Sequence, residues 1–281
     1  MNSFKTRVLA ILVAGLFAGL ALSGCRPHRD HDDYDGGDHH DSHDDPNLHD
    51  DGGHHDDDTA VPGYLYSIGT DVENDGDDWS GGFWVDFYAS ENSSITTSDW
   101  KIGSVYVGSL WAGEWANADL LVSFPDIPPG RYYVGAIIDA THVVSESNES
   151  DNIVVFSGPS LLVLDEFEPN DDDWQSHYLG GPDAFYALNA TIHEDGDEDW
   201  FSFWQDNGFN VDVLLSGLPD DYDVEVYDDG GGLIDMSSNS GTAVDHVNFD
   251  APYTGFYYIR IRGSGSDHDE DDTYALDVDL E

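Results

Sequence analysis

Beyond residue 62 the apolar residues come in short runs, several alternating strictly with polar ones and separated by turns of Gly, Asn, Asp and Pro. No long stretch repeats with a 3.6-residue period, so the pattern predicts strands. In the first half they fall near residues 83–88, 102–107, 120–124, 132–139 and 153–156. In the second they fall near 200–204, 211–215, 222–227, 233–237, 244–249, 256–262 and 274–278. Phe83, Val85 and Phe87 alternate with Trp84, Asp86 and Tyr88, which turns one set inward and leaves a mixed aromatic face on the other. Tyr222, Val224 and Val226 alternate with Asp223, Glu225 and Tyr227, as Tyr257, Ile259 and Ile261 do with Tyr258, Arg260 and Arg262. One face is buried and one wet. This predicts an all-β fold of two β-sandwiches, at residues 61–160 and 161–281, joined by the apolar bridge 161–164.

The N-terminal pattern is of another kind. Lys5 and Arg7 precede an apolar run at 8–22, which is short for a membrane span and has the proportions of a signal-peptide core. It closes in Leu22-Ser23-Gly24-Cys25, which resembles the lipobox of bacterial lipoproteins. That resemblance implies removal of residues 1–24 and diacylation of Cys25, and two acyl chains give stable membrane attachment. Arg26 stands where an Asp would imply inner-membrane retention, so an outer-membrane or cell-surface position is expected.

Residues 26–58 are nearly all Asp, His and Gly, with Tyr34 the only aromatic and Leu48 the only aliphatic. Such a segment cannot bury enough apolar surface to offset chain entropy, so residues 25–60 are expected to be a disordered tether stretched by like charge. His28, His31, His39, His40, His43, His54 and His55 place imidazoles among carboxylates, a donor mixture that suits zinc, copper or nickel.

Charge and cysteine content then narrow the function. Fifty-nine Asp and Glu against 8 Lys and Arg give a formal charge of −51, which repels phosphate backbones and makes cations the natural partners. Nucleic-acid binding is not expected. A single cysteine excludes a disulfide framework. There is no Gly-x-Ser-x-Gly, no His-Glu-x-x-His and no phosphate loop, and His193-Glu194 lacks a second histidine one helical turn on, so no enzyme is expected.

Two family resemblances sharpen this. Asn74, Gly76, the stretch 83–90, 95–99, Ile102-Gly103, Pro129-Gly130, Tyr132-Tyr133-Val134-Gly135-Ala136-Ile137-Ile138-Asp139 and Glu146-Ser147-Asn148-Glu149-Ser150-Asp151-Asn152 are similar to the CARDB domain. That is a bacterial adhesion-related module with an immunoglobulin-like sandwich. Glu166-Phe167-Glu168-Pro169-Asn170-Asp171, Gly196-Asp197-Glu198-Asp199-Trp200-Phe201-Ser202-Phe203, 215–227 and 255–262 resemble the bacterial pre-peptidase C-terminal domain. This is a β-sandwich found beside secreted peptidases and in surface proteins, often with bound calcium. Matched residue by residue, the resemblance implies calcium ligands at Glu166, Glu168, Asn170 and Asp171 in one loop and Asp197 and Asp199 in another. Calcium takes six to eight oxygens, and several carboxylates converge only where an ion relieves their repulsion. The competing reading is solvated loop carboxylates in a uniformly acidic chain. Asp71, Glu73, Asp75 and Gly76 echo a calcium loop, but position twelve is Gly82, so they are read as a turn.

The expectation is a non-enzymatic, lipid-anchored envelope protein for adhesion or recognition. Its partners are the membrane, through the anchor, and an envelope or extracellular protein or polysaccharide. Two alternatives stand beside it: an accessory factor for a separately encoded secreted peptidase, and divalent-metal capture by the histidine-rich tether.

Overall fold

The computed structural model describes residues 23–24, 45–55 and 57–281. Among these there is no helix, and the strands form four sheets stacked as two sandwiches. Residues up to 22, Cys25, His28, His31, His39, His40 and His43 lie outside the described residues, and with them the signal-peptide core, the lipidation site and most of the tether.

The first sandwich contains β1 (Ser23–Gly24), β2 (Leu48–His55), β3 (Thr59–Ala60), β4 (Leu65–Asn74), β5 (Phe83–Ser90), β6 (Trp100–Val107), β7 (Trp115–Ser123), β8 (Gly130–Ile138) and β9 (Ile153–Val163). One sheet runs β1-β7-β4-β2 and the other β3-β9-β8-β5-β6. Phe83, Val85 and Phe87 face the core as their alternation requires, against Tyr66, Ile68 and Val72 of β4. On the opposite face of β5, Trp84 is exposed, whereas Tyr88 is buried beneath Ile95 and Ile137. β4 went unpredicted because two of its inward positions are polar: Thr70 and Asn74 are both without exposed surface.

The expected tether is cut short. Residues 48–55 form an edge strand paired with β4, from Leu48 opposite Asn74 to His55 opposite Ile68. Leu48 has no exposed surface, and its N–H donates to Glu146 Oε2 at 2.5 Å. Asn47 N–H donates to Asn74 Oδ1 at 3.1 Å, and Ser147 N–H to Pro46 O at 2.9 Å. Composition misleads here because it treats the segment as isolated. A sheet edge supplies main-chain partners whatever the side chains, and one leucine anchors the strand. Gly53 permits close packing, since a Cβ there would overlap the Phe156 ring. The bridge expected at 161–164 is likewise mostly strand: Leu161 and Val163 are core residues of β9, alternating with Leu162.

The second sandwich contains β10 (His177–Gly180), β11 (Ala184–Ala190), β12 (Glu198–Gln205), β13 (Asn210–Ser216), β14 (Tyr222–Asp228), β15 (Leu233–Ser237), β16 (Asp245–Asp250), β17 (Gly255–Gly263) and β18 (Tyr274–Leu280). Its sheets run β10-β12-β17-β14-β15 and β11-β18-β13-β16. Phe201, Phe203, Tyr222, Val224, Val226, Tyr257, Ile259 and Ile261 fill the core from one side and Val211, Val213, Leu276 and Val278 from the other. The outer face of β14 and β17 is drier than its alternation suggests. Asp223 and Glu225 are buried there beneath arginines, with Arg262 Nη2 3.5 Å from Asp223 and Arg260 Nη1 3.2 Å from Glu225.

Candidate metal centre

Three pieces of chain meet at one end of the second sandwich: the loop following β9, the turn preceding β12, and the start of β12 itself. Asp165 closes the loop onto the end of β11. Its Oδ1 accepts Phe167 N–H at 2.9 Å, and its Oδ2 accepts Thr191 N–H at 2.8 Å and the Thr191 hydroxyl at 3.1 Å. Glu168 Oε2 accepts Asn170 N–H at 3.1 Å, and Trp200 N–H donates to Asn170 O at 2.9 Å, which docks the loop on β12. Asp197 Oδ2 accepts His193 N–H at 2.7 Å across a turn whose Gly196 sits at φ +93°, a conformation that L side chains rarely adopt. Asp199 occupies an inward position of β12, in phase with Phe201 and Phe203, so the pleat itself drives a carboxylate into the interior.

What remains after these bonds are made defines the centre. Glu168 is 2% exposed, Asn170 0%, Asp197 6% and Asp199 0%. Glu168 Oε1, Asp197 Oδ1, Asp199 Oδ1 and both amide atoms of Asn170 are nonetheless buried without a hydrogen-bond partner. Asp165, Glu168 and Asp199 bring one carboxylate oxygen each within 4.8 Å of one another, and Glu168, His193 and Asp197 do the same with two oxygens and a ring nitrogen. Burial pushes the carboxyls of Asp165 and Glu168 above their ordinary range, and that of Asp199 well above it, with neighbouring carboxylates adding to the effect. Burial pulls His193 down, but the Asp197 and Glu168 carboxylates lift it to about 11. Unpaired buried carboxylates are costly, and a cation held among them removes both the repulsion and the unmet acceptor capacity. The oxygens of Asp165, Glu168, Asn170, Asp197 and Asp199 fit a hard divalent cation, which takes six to eight such donors.

Of the six residues expected as ligands, Glu168, Asn170, Asp197 and Asp199 come together. Asp171 is exposed at the rim, where burial and the neighbouring Asp197 raise its carboxyl. Glu166 is not brought in: it is exposed and lines a surface groove with Phe167, His177 and Asn189. Asp165 and His193 were missed. The signal available for His193 was its spacing of four from Asp197 within one acidic turn.

The paired histidines His54 and His55 lie on β2, where successive side chains point to opposite faces. His54 Nε2 lies 3.7 Å from Asp119 Oδ1, whereas His55 Nε2 lies 2.9 Å from Ser160 Oγ, so they do not form a joint donor pair. Asp71 and Glu73 lie within β4, not in a turn.

A chain of two β-sandwiches, the second enclosing a buried carboxylate centre, is a modular β-protein. Comparison with known families places each module. The CARDB model matches residues 54–156 and the bacterial pre-peptidase C-terminal domain model residues 197–263, so the chain carries these two domains in that order. The second match includes Asp197 and Asp199 and begins after the loop that supplies Asp165 and Glu168. Solved structures resemble each part. A Pyrococcus furiosus CARDB domain, crystallised in complex with di-metal ions, is 21% identical, covers 43% of this chain and 96% of its own, and has a TM-score of 0.33. The pre-peptidase C-terminal domain of a Bacillus anthracis collagenase is 11% identical, with 38% and 94% covered and a TM-score of 0.29. A secreted serine protease from Vibrio cholerae is 13% identical over 82% of this chain and 51% of its own, with a TM-score of 0.27. No curated protein matches.

Proposed function

We propose that this protein is a non-enzymatic adhesion or recognition factor of the cell envelope, moored through an acylated Cys25, with a C-terminal module stabilised by calcium. Both matched domains fit a non-catalytic cell-surface module. The observation that carries the calcium reading is the set of unpartnered buried oxygens on Glu168, Asp197 and Asp199 beside Asn170. Calcium bound by Asp165, Glu168, Asn170, Asp197 and Asp199 would supply positive charge beyond that of His193 to a cluster of four buried carboxylates. The residues themselves orient the donors: Thr191 and Phe167 fix Asp165, and Tyr274 fixes Asp199.

The test is thermal. The full chain, stripped with a chelator, is melted with and without excess calcium. A ligand bound only by the folded state raises the unfolding temperature, and an unchanged curve removes the site. The mooring is tested separately, by incorporation of labelled palmitate into the wild-type chain and into Cys25→Ala, followed by protease shaving of intact cells.

A further inference from the structure

Glu168 has one oxygen committed and one free. Oε2 accepts Asn170 N–H, whereas Oε1 has no hydrogen-bond partner and lies 3.1 Å from His193 Nδ1. The same nitrogen lies 2.7 Å from Asp197 Oδ2, and Asp197 Oδ1 is also unpartnered. Nδ1 is buried, close to both carboxylates, and makes a directed hydrogen bond to neither. The Glu168 and Asp197 side chains are 1% and 0% exposed and that of His193 13%, so the three donors are held out of bulk solvent.

We propose that Glu168, His193 and Asp197 form a second cation site that takes a borderline divalent metal ion such as zinc, beside the all-oxygen set of Asp165, Glu168 and Asp199. The inference rests on the calcium reading only in that Glu168 and Asp197 serve both sites. The choice of metal follows from the donors. Calcium and magnesium bind oxygen, whereas imidazole suits zinc, nickel, copper and their neighbours. Ligand spacing agrees. A tetrahedral zinc with bonds of about 2.0–2.1 Å needs donors about 3.3 Å apart. The Nδ1 separations of 3.1 and 2.7 Å reach that with a small widening. Two carboxylates and one imidazole, whose Nδ1 proton the metal displaces, leave a fourth position for water.

The test uses the full chain with His28, His31, His39, His40 and His43 replaced by Asn, which removes competing imidazoles. The protein is saturated with calcium and titrated with cobalt(II), and the visible d–d band is recorded. One molar equivalent of band is expected, lost in His193→Ala and kept in Asp199→Asn. The calcium-induced rise in melting temperature, kept in His193→Ala, shows that this variant folds. Zinc X-ray absorption on the chain with His193 intact needs no further variant and should show imidazole outer-shell scattering. Absence of the band, a band indifferent to His193→Ala, or one-for-one displacement of cobalt by calcium overturns the proposal. A His193-dependent band in a protein that calcium fails to stabilise sinks the calcium reading and leaves this one standing.

Discussion

Tyr274 donates its hydroxyl to Asp199 Oδ2 at 2.5 Å, and neither residue has exposed surface. The bond joins β18 in one sheet to β12 in the other, so it braces the sandwich and holds Asp199 in place at once. Burial, reinforced by the Asp199 charge, pushes the Tyr274 phenol well above its ordinary range, which keeps it a donor at any pH the fold meets. In Tyr274→Phe both oxygens of Asp199 lack a partner, since Oδ1 already has none. The expected loss in chelator is about 1–3 kcal/mol, the cost of an unsatisfied buried acceptor. Urea denaturation of the two proteins side by side measures it, and equal midpoints would refute the brace.

Asp199→Asn should act in opposite directions with and without calcium. In chelator the wild-type centre crowds buried carboxylates with a single imidazole for compensation, so replacing one of them by an isosteric amide relieves repulsion and raises the melting temperature. With calcium the order reverses. The wild-type protein gains about 2.7 kcal/mol at a hundredfold excess over its dissociation constant, and the variant gains much less. Calorimetric scans in both conditions give four melting temperatures. A variant that melts below wild type in both would mean that Asp199 is held for packing alone.

Much of this molecule was legible in its alternation. The strands whose inward positions are all apolar, such as β14 and β17, were read within two residues of their ends, because period-two burial leaves a signal no matter what the loops do. The strands that escaped are the ones whose burial is polar or whose pairing is mostly main-chain. β4 hides behind Thr70 and Asn74, β2 behind its Asp, Gly and His residues, and β10 and β11 are sheet edges with little core to advertise. At the centre, Glu168, Asn170, Asp197 and Asp199 could be read from local sequence pattern. Asp165 could not, since it owes its place to bonds with Thr191 that form only in the folded chain, and His193 offered no more than its spacing of four from Asp197.

The docking of β2 rests on one carboxylate. Glu146 takes Leu48 N–H on Oε2 at 2.5 Å and Asn152 Nδ2 on Oε1 at 2.8 Å, so it joins the entry of the chain to the loop before β9. Burial raises its carboxyl, with these two bonds opposing. Glu146→Ala leaves two buried donors unmatched, and about 1–3 kcal/mol of stability should go with them. The loss should be local. Hydrogen exchange at Leu48 and along residues 48–55 should speed up while the amides of β12 and β17 keep their protection. Uniform acceleration across both sandwiches would contradict a local latch.

Acid should weaken the second sandwich through Glu225. Burial by itself would raise this carboxyl, but the Tyr227 hydroxyl, Arg260 and Arg262 more than reverse that, and it lies below its ordinary range. The unfolded chain takes up this proton near pH about 4.3, whereas the native carboxyl takes it only at lower pH. Between the two the unfolded state binds more protons, so stability falls as pH falls through that window, and the whole contribution is present above it. Glu225→Gln removes the group from the titration. The variant should be less stable than wild type at pH 7, because Arg260 Nη1 and Arg262 Nη2, at 3.2 and 3.3 Å, lose their shared anion. Its acid limb should be flatter, so that the two stability curves draw together as the pH drops below the wild-type carboxyl. Denaturation midpoints at half-unit steps from pH 7 downward give both curves. Parallel curves would show that the arginines hold Glu225 no more tightly than water does.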